Sequence, residues 1–108
     1  MPIDKDANEL DQKAEAKVRE AYQLREEVNQ MNQQADRYRE NAEVLRRKSR
    51  GMTEEKAGQL YRESDTLMDK VEEMPKKTAE KLRKADDLDR QAEELRQKAA
   101  ALRDSENV

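Results

Sequence analysis

Residues 45–60 read LRRKSRGMTEEKAGQL, and this stretch decides the fold. Arg46, Arg47, Lys48 and Arg50 place positive charge where the negative end of a helix dipole wants it. Gly51 follows, a residue that tolerates the left-handed conformation with which helices often end. Thr53 then offers an N-cap, and Glu54 and Glu55 put acid in the first turn of a second helix. Met52 and Ala57 stand at the positions of a weak hydrophobic staple. A stop signal and a start signal thus meet around one glycine.

Working outward, both flanks carry the same seven-residue repeat. Before the turn, position a holds Ala7, Ala14, Ala21, Val28, Ala35 and Ala42. Position d holds Ile3, Leu10, Lys17, Leu24, Met31, Tyr38 and Leu45. After the turn, position a holds Ala57, Ser64, Val71, Thr78, Ala85, Ala92 and Ala99. Position d holds Leu60, Leu67, Met74, Lys81, Leu88, Leu95 and Leu102. An apolar seam of this period is the mark of a coiled coil. The phase survives Pro75, which therefore reads as a kink that removes the hydrogen bond to the Val71 carbonyl.

The two seams are complementary if the chain folds back at Gly51. Position a of one helix then faces d of the other, pairing Ala7 with Leu95, Ala21 with Lys81, Leu24 with Thr78, Tyr38 with Ser64 and Ala42 with Leu60. Nearly every layer joins a large side chain to a small one, as close packing asks. Sliding by a whole heptad also keeps Ala against Leu, so the turn at Gly51 and the central Val28, Met31, Val71 and Met74 layers select this register. Flanking charges follow, with Glu27 to Lys77, Glu20 to Lys84, Asp6 to Lys98, Arg46 to Glu54 and Asp4 to Arg96. Asp11 with Asp89 and Lys48 with Lys56 are misfits.

Composition agrees and excludes a good deal. Of 108 residues, 45% are charged, 33% hydrophobic and 3% aromatic, with a net charge of −3. Charge of both signs is interspersed and periodic, which separates a helical chain from a disordered one. The sequence has no Cys and no His, which removes zinc sites and thiol or imidazole catalysis. Two Gly leave no phosphate-cradling loop. Adjacent acids such as Glu26-Glu27 and Asp86-Asp87 point in different directions on a helix, and the lone Ser and Thr residues have no base to activate them. Nothing reads as a membrane span or a signal peptide, so a cytoplasmic protein without cofactor or small-molecule substrate is expected.

Two features stand outside the seam. The first is an apolar stripe at position e of helix 2, Tyr61, Met68, Pro75 and Leu82, with Val18 placed opposite Leu82 and Tyr22 one turn beyond Val18. It suggests a docking edge for a second copy or a partner helix; the competing reading is that it thickens the hairpin's own seam. The second is the basic tip, Arg46, Arg47, Lys48 and Arg50 around Ser49. It suggests an anion contact or a phosphorylation site, against plain compensation of the helix dipole. The negative net charge and the absence of aromatic side chains from the tip argue against nucleic acid.

Ala at a with Leu at d in a hairpin resembles the core packing of the Rop four-helix bundle, in core logic and not in any motif. A chain of this length with a central turn is also similar to the secreted Trp-x-Gly helical hairpins. Here the turn reads Arg50-Gly51-Met52 without the tryptophan, and the one Tyr-x-x-x-Asp string, Tyr61 to Asp65, lies mid-chain.

The expectation is an all-α, antiparallel two-helix coiled-coil hairpin forming a single domain, with association into a four-helix bundle left open. Helix 1 should span about 4–50, the turn about 50–53, helix 2 about 54–103 with a kink near Pro75, and the tail 104–108 should fray. The expected function is non-enzymatic: a structural or protein-interaction module that self-associates. The alternatives are an adaptor or chaperone-like hairpin clasping a partner helix along the Tyr61–Leu82 edge, and an anion or nucleic-acid contact at Arg46–Arg50.

Overall fold

The computed structural model describes residues 2–106. It contains two helices, α1 (Pro2–Ser49) and α2 (Glu54–Glu106), packed against each other as a helical hairpin, with no strand among the described residues. α1 starts two residues earlier than the expected bound of about 4. Pro2 can occupy the first turn because its missing N–H has no intrahelical partner there.

The turn forms where the sequence places it. The Arg50 amide donates to the Arg47 carbonyl (3.2 Å), and the Gly51 and Met52 amides both reach the Ser49 carbonyl (3.1 and 3.2 Å). Gly51 has φ +142°, backbone that side-chain-bearing residues rarely adopt. The Ala57 amide donates to the Thr53 carbonyl (2.8 Å), the first intrahelical bond of α2, which makes Thr53 the cap.

α2 runs without interruption through Pro75. The Thr78 hydroxyl donates to the Pro75 carbonyl (3.1 Å). At the far end, α2 continues to Glu106. Arg103 holds the last turns by donating to Asp11 (2.6 Å) and Asn8 (3.0 Å) on α1, and the Ser105 hydroxyl donates to the Leu102 carbonyl (2.8 Å). Residues 107 and 108 lie outside the described residues.

The chain divides into a terminal unit, Met1–Glu26 with Lys81–Val108, and a turn unit, Glu27–Glu80. In both, position a supplies most of the buried residues, with Ala57 and Thr78 only half-buried. Ala7, Ala14, Ala21, Ala85, Ala92 and Ala99 are buried in the terminal unit, and Val28, Ala35, Ala42, Ser64 and Val71 in the turn unit. Position d is only half-buried at Leu10, Leu24, Leu95 and Leu102, and likewise at Met31, Tyr38, Leu45, Leu60, Leu67 and Met74; Leu88 is the buried exception.

This pattern corrects the expected register. In the terminal unit Ala21, Ala85 and Leu88 form one cluster with Leu24 packed on it, so Ala21 meets Ala85 and not Lys81 alone. In the turn unit the fully buried Ser64 donates to the carbonyl of Ala42 (3.2 Å), the residue that the expected register pairs with Leu60. Small a residues therefore face small a residues. Alanine on both sides lets backbones approach closely, and the large d side chains are displaced to one edge of each unit. Ion pairs follow the same offset. Asp11 and Asp89, misfits in the expected register, each receive an arginine, Arg103 and Arg25 (both 2.6 Å). Arg46 pairs with Asp65 (3.5 Å) and not with Glu54.

Candidate interaction surface

Each unit has two unlike edges beside its row of buried a residues. In the terminal unit, the e edge is polar. The Arg25 guanidinium bridges Asp89 (2.6 Å) and Asp86 (3.0 Å) across the hairpin. Those bonds, with Asp89 the larger cause, raise the Arg25 pKa further above its ordinary value. Arg103 spans Asp11 and Asn8 in the same way. These pairs are largely exposed and screened by solvent, so they fix alignment more than stability.

Val18 lies on this polar edge, half-buried. It lines a shallow cavity of about 200 Å³ with Glu15, Arg19 and Arg96. Arg96 is thus a residue of α2 that lies beside Val18. Leu82 is 41% exposed and Tyr22 is 64% exposed.

In the turn unit, Tyr61 is 47% exposed, Met68 half-buried and Pro75 exposed. Pro75 borders a cleft of about 340 Å³ lined by Ala35, Val71, Met74, Thr78 and the polar trio Asn32, Asp36 and Arg39. Arg39 and Asp36 neutralise one another at 3.2 Å.

The opposite edge of each unit is built from d residues. In the terminal unit Leu24 packs on the cluster that holds Leu88. In the turn unit Leu45 and Leu67 line an apolar cleft of about 310 Å³ with Glu63 and Thr66. Tyr38 lies under the Lys70 ammonium, 5.5 Å from its ring centre. Sequence reasoning placed these d residues in the interior. The signal that reveals them as an edge is alanine at a on both helices, because two short rows can meet directly. Val44 and Met52, also exposed, carry no heptad signal.

The basic tip is partly self-compensated. Arg46 pairs with Asp65, and Arg47 donates to Glu43 at 2.6 Å. Ser49 is buried, and its hydroxyl donates to the Arg46 carbonyl (2.6 Å). In the turn that hydroxyl is held by the backbone, which weakens the phosphorylation reading. Lys48 and Arg50 are exposed.

Among the described residues no three acidic side chains gather as metal ligands would, and no helix is long and apolar enough to cross a membrane. Searches against protein-family models, curated proteins and solved structures find no match.

Proposed function

We propose that this chain is a non-enzymatic helical-hairpin interaction module that associates with a second copy of itself. The observation that carries this reading is the contrast between the two seam rows. Apart from Ala57 and Thr78 the a row is buried, and apart from Leu88 the d row, which holds most of the leucine, is left half-wet. Among the described residues, eight of the eleven buried apolar ones are alanine. A buried alanine methyl contributes on the order of 0.8 kcal/mol, and a fully buried leucine ~1.5–3 kcal/mol. The chain keeps the smaller gain for itself and leaves much of the larger one available to a partner.

Total surface supports the same reading. The chain exposes 8232 Å², against roughly 6,200 Å² for a globular monomer of this mass. Closed two-fold pairing is the commonest way in which a chain covers such surface. The sequence carries neither thiol nor imidazole, which accords with a role free of catalysis.

A second reading is an adaptor that takes a partner helix on the e positions of α2. The exposure of Tyr61 in one unit and of Leu82 in the other favours it. An anion contact at the tip is weakened by the carboxylates already held by Arg46 and Arg47.

The test is the concentration dependence of thermal unfolding. A self-associating chain melts at higher temperature as its concentration rises, because only the folded state binds a second copy. A melting temperature that is constant over a hundredfold range of concentration opposes the proposal.

A further inference from the structure

Resting on the self-association reading, we infer that the second copy docks on the leucine edge of the terminal unit, and that two rows of opposite charge align it. The edge is defined by half-buried d residues on both helices, Leu10 and Leu24 on α1 and Leu95 and Leu102 on α2, with Leu24 packed on the Ala21–Ala85–Leu88 cluster. The other edge of this unit is occupied by the unit's own ion pairs, Arg25 to Asp86 and Asp89, and Arg103 to Asp11. A partner there would have to displace or desolvate paired charges. On the leucine edge it covers apolar side chains that water already half reaches.

Position g borders d on the side away from the alanine row. On α1 this border reads Asp6, Lys13, Glu20, and on α2 it reads Lys84, Gln91, Lys98, all exposed. The acids are fourteen residues apart, and so are the lysines. At 1.5 Å per residue both pairs span about 21 Å. The midpoints, Lys13 and Gln91, do not repel one another.

A two-fold axis sets α1 of one copy beside α2 of the other, and does so twice. Asp6 then meets Lys98 of the second copy and Glu20 meets Lys84, with the reciprocal pairs formed by symmetry. Within the chain, Arg25 and Arg103 carry charged contacts across this unit's hairpin. Lys17 and Lys81 interrupt the d rows, and both are half-buried.

The experiment is a charge swap in the full chain. One variant carries Lys84→Glu and Lys98→Glu, the other Asp6→Lys and Glu20→Lys. Each alone sets like charge against like charge in the homodimer and should dimerise about tenfold or more weakly than wild type at low salt. An equimolar mixture restores all four facings and should form a heterodimer of wild-type affinity, with helicity followed by circular dichroism throughout.

Three results overturn the inference. In the first, both variants dimerise like wild type and mix without preference. In the second, Leu82→Glu dissociates the dimer while the swaps do not, which moves the interface to the e edge. In the third, either variant loses helicity alone and mixing does not restore it, which assigns the charged rows to the hairpin's own packing. A wild-type chain that is strictly monomeric removes the self-association reading itself.

Discussion

At the residue scale, two glycines in one chain carry opposite expectations. Gly51 holds φ +142°, with nothing within 4 Å of where a Cβ would stand. The cost of replacing it is therefore backbone strain and not a clash. Gly51→Ala should destabilise the chain by ~1–3 kcal/mol in urea titration. Gly58 sits inside α2 with equally open space around it and ordinary helical backbone. Gly58→Ala should stabilise by ~0.5–1 kcal/mol in the same assay. If both substitutions move stability the same way, the turn is not where Gly51 puts it. Ser64 tests the small-on-small contact. It is fully buried and reaches the Ala42 carbonyl, so Ser64→Leu should cost ~1–3 kcal/mol through overpacking, whereas Ser64→Ala should cost less than about 1 kcal/mol. A leucine tolerated at this position would favour the expected a-to-d layers.

At the element scale, the helices were legible and their alignment was not. Caps, charges and Gly51 locate the turn because each acts on backbone within a few residues. Asp11 and Asp89 show why the register was harder. They look like a like-charge conflict only while a is assumed to face d, and the conflict disappears when each meets an arginine. Alternating Ala and Leu satisfies volume arguments in more than one offset. What separates the offsets is backbone approach, which residue volumes do not contain. The candidate site inherited that uncertainty. The exposure of Tyr22, Tyr61 and Leu82 followed from their heptad positions, but the neighbour of Val18 depended on the register.

Two measurements belong to single elements. Pro75 interrupts the backbone ladder of an otherwise continuous helix while lying exposed. Pro75→Ala restores the bond to the Val71 carbonyl and should raise stability by ~1–3 kcal/mol in urea titration. No gain would mean that the surrounding packing, and not the helix, sets the local geometry.

In α1, the hydrogen bond from Arg47 and then its charge hold the Glu43 carboxyl below its ordinary pKa. A carboxyl with a lower pKa when folded adds stability above its unfolded pKa and loses it as the pH falls through the folded value. Arg47→Gln should therefore return the Glu43 titration midpoint, followed by NMR, upward toward the ordinary carboxylate value. An unmoved midpoint would deny the pairing.

At the scale of the whole molecule, a chain that is 33% hydrophobic and 45% charged divides its apolar residues by size. Alanine joins the helices to one another, and leucine and methionine are left at the edges. This division is the physical basis for reading the hairpin as half of an assembly, and mass in solution tests it most directly. Multi-angle light scattering at about 100 µM, far above a micromolar dissociation constant, should return twice the chain mass of 12.7 kDa. A single chain mass throughout the peak would contradict it.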